Sequence, residues 1–499
     1  MLNGLKGMLI KWLGIMPTEN PVSIVVREIT TREVNTLKNQ LWYRGDPVEL
    51  EQFYKQAASL DSVSGVSATR FWAASSKNGA EIRKIHSGLP RMIADKLAGI
   101  VTEDMNEPNM EQAIKDRWES VTKEYFDELL DIAVAATLSE GDGAFKICVD
   151  PTISDKPIIE FFAGNKVDFV YKRGILIEII FYTDYWKQSK HFKLAEHYGK
   201  GYVRYKLVDD LNSEYPLDTL EETMELVDVA FEGDFMMAVP LKIYPSAKWG
   251  DRGESIFEGK GDMFDALDEC VSTWMDAIRG GRVKQYIPDD LVPRNEDTGQ
   301  MLKPDVFNPF YVKGTNLAED SENKIEVIQG QIEYEGYLNT YITLLDCCLQ
   351  GLISPSTLGI DVKKLDNAES QREKEKTTLY TRDKIIGSLA KVLPKLVEAV
   401  LKTEDTINGK MPPEVYESTF EWGQYANPSF EAIVETVGKA KTYGIMSIER
   451  CVEELYGDTM TEEDKAEEVL RLKQESTLGV DIEQPAVNDE LNVGEVNAV

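Results

Sequence analysis

The sequence predicts a multi-domain α+β protein with long helices and one antiparallel β-rich module. Three observations predict it. Apolar residues recur at helical spacing through the first 140 positions, the period shortens to two between 144 and 208, and two long helical stretches then flank a short strand-rich insertion. At 499 residues, with 42% apolar and 28% charged side chains, the chain can bury more than one core.

The opening stretch, MLNGLKGMLIKWLGIMP, has the apolar character of a signal peptide. Lys11 interrupts it and no small-residue cleavage site follows, so an amphipathic helix packed on the body is expected. No run of about 18 uncharged apolar residues occurs, and no membrane-spanning helix is expected. Residues 83–101 carry Ile85, Leu89, Met92, Ile93 and Leu97 at helical spacing, and residues 118–138 repeat the pattern with Phe126, Leu129, Leu130, Ala133 and Val134. Gly141, Asp142 and Gly143 break it. The runs AFKICV, PIIEFFA, VDFVY, ILIEIIFYTDYW, HFKLAEHY and YVRYKLV then read as strands, with hairpin turns at Arg173-Gly174 and Gly199-Lys200-Gly201. A further strand, 238–244, ends at Pro245.

Residues 263–282 return to helix. Phe264, Leu267, Val271, Trp274 and Ile278 alternate steps of three and four, a narrow seam of the coiled-coil kind, while Asp265, Asp268, Glu269 and Asp276 occupy other faces. Gly280-Gly281 stops this helix. Residues 283–332 form a small mixed segment with strand-like pieces and prolines in turns. A second helix, 333–352, places Leu338, Ile342, Leu345, Leu349 and Leu352 on one stripe. After a loop at 353–365, Asp366 and Glu369 make a capping box for a long helix expected to kink at Pro394. Three short helices are expected at 427–443, 447–456 and 461–476, and residues 478–499, with five acids and no Lys or Arg, read as a disordered tail.

Composition excludes several functions. The formal charge is −32, from 87 acids against 55 bases, whereas proteins that grip duplex DNA do so with Lys and Arg that release counterions from phosphates. No GxxxxGK[ST] occurs, so the chain is not a packaging ATPase. There are three histidines, His86, His191 and His197. The last two share strand parity but stand roughly 20 Å apart, too far to share a metal. The five cysteines include no CxxC pair and read as free thiols of a reducing compartment. Neighbouring acids such as Asp209-Asp210 and Asp289-Asp290 follow from the acidic composition. The alternating charges of 371–376 read as a solvated or intersubunit helix face. No catalytic residue, metal or cofactor is expected.

Two strings carry a resemblance. SIFEGKGDMFDALDECVSTWMDAIRGGRVKQYIPDDLV and GLISPSTLGIDVKKLDNAESQREKEKTTLYTRDKI resemble segments of the portal proteins of tailed double-stranded DNA bacteriophages, the second in the form found in siphoviruses of Gram-positive hosts. S-P-x-x-L-G followed by N-A-E-S-Q-R-E is the more specific match, and the order of elements along the whole chain agrees. The resemblance implies a wing at 1–262, a first stem helix at 263–282, a clip at 283–332, a second stem helix at 333–352, and a tunnel loop at 353–365. It further implies a long helix returning to the wing at 366–426, a crown at 427–477 and an acidic tail at 478–499. It implies a non-enzymatic subunit of a ring, commonly of twelve copies, at the capsid vertex of the virion, assembled in the host cytoplasm. Through this ring DNA is packaged and ejected.

The implied partners are further copies of the chain, the terminase large subunit, the head-completion adaptor, major capsid and scaffold proteins, and double-stranded DNA, with no membrane. Phe264, Leu267, Val271, Trp274, Ile278, Leu338, Ile342, Leu345 and Leu349 would then pack stems between subunits. Val362, Lys363, Lys364 and Leu365 would face DNA, two lysines in an otherwise acidic channel. The rival readings are another acidic structural or adaptor protein of the virion, such as a minor head protein, and a metal-dependent nuclease.

Overall fold

The computed structural model describes residues 31–60, 70–74, 82–211, 213–288, 291–292, 294, 299–300, 310–313, 324–360, 368–423, 430–456, 460 and 462–478. The expected N-terminal helix and all of the acidic tail after Leu478 lie outside these residues. The chain divides into two compact units, Met1–Gly423 and Gln424–Val499. Helices and mainly antiparallel sheets make it α+β, as the change of period predicts.

The first unit begins with α1 (Arg32–Arg44) and α2 (Pro47–Leu60). Thr31 caps α1 by accepting from the Val34 N–H, and Gly45 closes it at φ 69°, a left-handed value that glycine adopts without strain. Next come α3 (Leu89–Thr102), β1 (Asn109–Met110), α4 (Gln112–Thr122) and α5 (Phe126–Glu140). Two expected helices are corrected here. Residues 82–88 are neither helix nor strand and the helix starts at Leu89, after Gly88 in the left-handed region and with Pro90 in its first turn. The stretch 118–138 is broken by a turn at 123–125, which folds Trp118 edge-on against Phe126 at 5.1 Å.

The strands follow: β2 (Asp142–Cys148), β3 (Ile158–Ala163), β4 (Val167–Lys172), β5 (Ile175–Lys187), β6 (Lys190–Gly199), β7 (Tyr202–Asp209), β8 (Glu214–Tyr215), β9 (Val229–Ala230) and β10 (Ala238–Lys242). They make two sheets. One is ordered β10-β2-β3; the other is the meander β4-β5-β6-β7-β8, with β9 paired to β7. The turn between β4 and β5 is Arg173-Gly174, both at positive φ, which matches the right-handed twist of a two-residue hairpin. Ala144 and Ala238 pack with Val167, Ile179, Phe181, Tyr198 and Val203, so the two sheets share one small core.

Helix α6 (Gly261–Gly280) leads to β11 (Lys284–Pro288), β12 (Phe310–Lys313) and β13 (Glu326–Ile328). In this three-stranded sheet β11 is central, parallel to β12 and antiparallel to β13. Helix α7 (Tyr334–Leu349) returns to the body, and α8 (Ala368–Ile407) runs 40 residues, with Pro394 inside it. β14 (Ser418–Thr419) pairs with β1. The apolar side of α8, from Ile385 through Leu389, Leu393, Leu396 and Val400, is fully buried in the main core. Each such side chain contributes about 1.5–3 kcal/mol on burial, which makes α8 the spine of the unit.

The second unit contains α9 (Phe430–Thr442), α10 (Ile448–Tyr456) and α11 (Glu462–Leu478). Cys451 and Val452 of α10 are buried within it, and Lys473 pairs with Glu449 at 2.5 Å. That pairing holds the Glu449 carboxyl near 2, below its ordinary range.

Candidate functional site

Helices α6 and α7 form an antiparallel hairpin that carries the three-stranded sheet at its far end. At that end Gly281 packs against Ile332. At the near end the Lys260 Nζ donates to Cys347 O at 2.9 Å and Gln350 O at 2.6 Å, a cation on the carbonyls that α7 leaves unpaired at its C-terminus. Midway, Trp274 stacks on Tyr337 within the same chain, rings nearly parallel and 6.1 Å apart.

The expected intersubunit seam divides in two. Phe264, Leu267, Leu345 and Leu349 are at most 2% exposed and belong to the core of their own chain. These four are corrected from intersubunit to internal packing, because the body reaches further up the hairpin than a free-standing stem would allow. Beyond the body, Val271, Trp274, Leu338 and Ile342 are half-buried and Ile278 is exposed.

Two acids that lie off the apolar seam of α6, both in its first half, are buried. Asp265 is buried and accepts from the Phe71 and Trp72 N–H groups at 2.9 and 3.2 Å. Asp268, fully buried, accepts from Trp72 Nε1 (3.2 Å) and the Ser87 N–H (2.8 Å), and bonds His86 Nδ1 at 2.7 Å. Ser272 accepts from the Ile85 N–H at 2.9 Å. Burial pushes the Asp265 carboxyl up against the two N–H donors that favour its charge. The helical spacing of Asp265, Asp268 and Ser272 is the signal that could have identified this second, polar seam.

On another side of the hairpin lies a groove of about 850 Å³. On the α6 side small residues wall it, Ala266, Cys270, Thr273 and Ala277, while Gly336 and Thr340 stand beside the larger Tyr337 and Leu344 on the α7 side, and Glu269, Asp276 and Glu333 border it. The four α6 residues step by four, three and four, a second pattern in the sequence that larger apolar residues mask.

Between α7 and α8, residues 352–360 are bracketed by hydroxyl groups. The Ser354 N–H donates to Thr378 Oγ1 at 2.9 Å and Thr381 Oγ1 donates to Leu352 O at 2.7 Å, with Ser354 and Thr378 buried. Val362, Lys363, Lys364 and Leu365 lie outside the described residues.

A charged cluster joins the meander sheet to the helices. Arg252 donates to both oxygens of Asp142 at 2.8 Å and to Asp168 at 3.0 Å, and Arg32 donates to Asp168 at 2.9 Å. Both arginines also reach Gly164 O at 3.1 Å. Gly253 is required beside this cluster, because a Cβ there would stand 2.0 Å from Gly141 O.

Nearby Glu140, at the C-terminal end of α5, accepts the Asn165 N–H at 2.9 Å. Burial, then the charge of Asp142, raises its carboxyl to about 7, against the lowering effect of that N–H and of Lys166. The folded state therefore holds this proton more tightly than the unfolded chain, and stability falls as pH rises from about 4.5 to about 7. Glu140→Gln, which keeps the acceptor, is expected to stabilise the protein at pH 8 by on the order of 1–3 kcal/mol and to change little at pH 4. Thermal melts of both proteins at the two pH values check this.

The histidines bind side chains of this chain. His191 lies between Asp210 (2.6 Å) and Asp184 (3.1 Å), which raises its pKa, and His197 bonds Glu178 at 3.1 Å. Among the described residues no three His, Cys, Asp or Glu side chains are grouped to hold a metal ion, and no helix is long and apolar enough to cross a membrane. What the hairpin offers is surface, a groove lined by residues of both helices.

No protein-family model matches the chain, and no curated protein does. Among solved structures it is similar to a chain from the virion of a native gene transfer agent particle, at 12% identity over 93% of this chain and 98% of that one, with a TM-score of 0.38. It is also similar to a chain from the neck of the native particle computed with C12 symmetry, at 10% identity over 76% and 90% and a TM-score of 0.38. A third likeness is to a chain from the neck of the empty particle computed with C6 symmetry, at 12% identity over 71% and 86% and a TM-score of 0.37. These likenesses are too distant to assign a function.

Proposed function

We propose that the chain is the portal subunit of a tailed double-stranded DNA bacteriophage, of the siphovirus type. In this reading it is a structural protein without catalytic activity, and about twelve copies close into a ring at the capsid vertex. The observation that carries the proposal is the α6–α7 hairpin. It stands on an α+β body, presents a small strand-rich cap, and has a groove on one side that the described residues leave unfilled. The two portal-like strings cover the first helix of this hairpin, α6, and the bracketed loop that follows the second. DNA passes through the ring, the cap docks the terminase large subunit and later the head-completion adaptor, and the wing meets capsid and scaffold proteins. A charge of −32 per subunit repels phosphate, so the duplex slides instead of adhering.

Electron microscopy of the purified protein tests the assembly. Rings with a central channel are expected, and a monomer or a channel-free oligomer at micromolar concentration would overturn the reading. Lys363 and Lys364 test the DNA path. Reversing both to Glu in a phage lacking its own portal is expected to leave rings intact, with stability changed by about 0.5 kcal/mol or less, and to reduce DNA content per capsid. Normal, stably retained genomes would remove the lysines from the DNA path.

A further inference from the structure

The ring reading leaves open which surface of one copy meets which surface of the next, and the hairpin itself answers this. Beyond the body, α6 has two opposed uncommitted faces. The groove face is the line of small residues described above. At roughly 100° per residue, Val271, Met275 and Ile278 fall roughly 120–180° around the helix from Ala266. Met275 and Ile278 are exposed at 40% and 39%, and Val271 is half-buried, so they form an apolar ridge.

Charge divides along the same line. Asp276 and Glu333 border the groove, while Arg279 and Arg282 flank the ridge at the end of α6. None of these four has an ion-pair partner within 4 Å among the described residues. Height matters as much as sign. A closed ring relates its copies by rotation without rise, so groups that meet must lie at the same level along the ring axis. With the hairpin standing along that axis, Asp276 and Arg279 differ by roughly 5 Å in level. Glu333 sits beside the Gly281–Ile332 contact, next to the level of Arg282. Ridge residues 271–278 likewise span the same levels as groove residues 270–277.

Resting on the portal reading, we propose that the contact between copies is directional. The ridge of Val271, Met275 and Ile278 of one copy seats in the small-residue groove of the next, with Arg279 and Arg282 against Asp276 and Glu333. The small side chains let the neighbouring helix approach closely, and the opposed placement of the faces makes the contact heterologous, so that it repeats until the ring closes. Trp274 takes no direct part, since Tyr337 of its own chain covers it.

Two variants of the full chain test this by blocking one face each. Gly336→Trp fills the groove from a position where a Cβ meets nothing within 4 Å, so the subunit fold is retained. Met275→Asp places a charge on the exposed ridge. Native mass spectrometry should find rings for the unaltered protein and monomers for each variant alone, with circular dichroism and melting unchanged. Mixed at equal concentration, the two variants should give a one-to-one dimer and nothing larger, because only one ridge and one groove remain usable. Rings of ordinary size from either variant alone, or a mixture that stays monomeric while both partners are folded, would overturn the directional contact. Such results would leave the ring reading standing as long as the unaltered protein forms rings. If the unaltered protein is itself monomeric, the ring reading fails and this inference with it.

Discussion

Replacing Asp142 with alanine is expected to destabilise the first unit by about 3–5 kcal/mol. Asp142 takes both near-parallel hydrogen bonds of the Arg252 guanidinium, and the Gly253 N–H at 2.7 Å as well. Side-chain exposure is 9% for Arg252 and 4% for Asp142, so water cannot replace the lost carboxylate. Asp168 would remain as a partner, but its side chain is 40% exposed and already shared with Arg32. The cost therefore comes mainly from a guanidinium left buried and half-satisfied. Urea unfolding followed by far-ultraviolet circular dichroism measures it. Arg252→Met in the same background should recover part of the loss, since it removes the orphaned charge. A loss below about 1 kcal/mol in Asp142→Ala would show that the cluster does not bind sheet to helices.

Asp268→Ala is expected to cost about 3 kcal/mol or more, because three groups lose their acceptor at once. Trp72 Nε1, the Ser87 N–H and His86 Nδ1 converge on this one carboxylate, all from residues 72–87 and all at a site with no solvent access. Trp42 packs on His86 at 5.6 Å and on Phe264 at 5.7 Å, so loosening the segment also loosens the core around the base of α6. The Ser87 and Ile85 amides should lose protection in hydrogen exchange, while amides of the second unit keep theirs. Asp268→Asn, which retains one acceptor oxygen, should fall between the two proteins. If Asp268→Ala melts like the unaltered chain, residues 82–88 are held by packing alone.

Local pattern carried a large part of this fold. Period two located β2 through β7, and positive-φ turn chemistry located the Arg173-Gly174 hairpin, because strand alternation and turn preference depend on adjacent residues. The same holds for α6 and α7, whose ends fall within three residues of the expected limits. Periodicity failed at residues 82–88 and 123–125. There the backbone is drawn out of the helix by partners distant in sequence, such as Ser272 for Ile85, or turned so that neighbouring aromatic rings meet. The candidate site shows the same division. An apolar stripe marks a helix face that will be covered, but it does not say by what.

The amino-acid sequence by itself determined the α+β class, the order of helices and strands, the helical hairpin around a strand-rich insertion, and an acidic surface unsuited to gripping DNA. Only the tertiary structure decided that Phe264, Leu267, Leu345 and Leu349 fill their own chain's core, and that Asp265 and Asp268 are buried acceptors. It also decided that the uncommitted surface of α6 is a groove of small residues opposite an apolar ridge. The physical reason is range. Secondary structure follows from torsional preference and side-chain period over a few neighbours, whereas burial depends on which distant segment arrives, as when Phe71 and Trp72 meet Asp265 across more than 190 residues of chain.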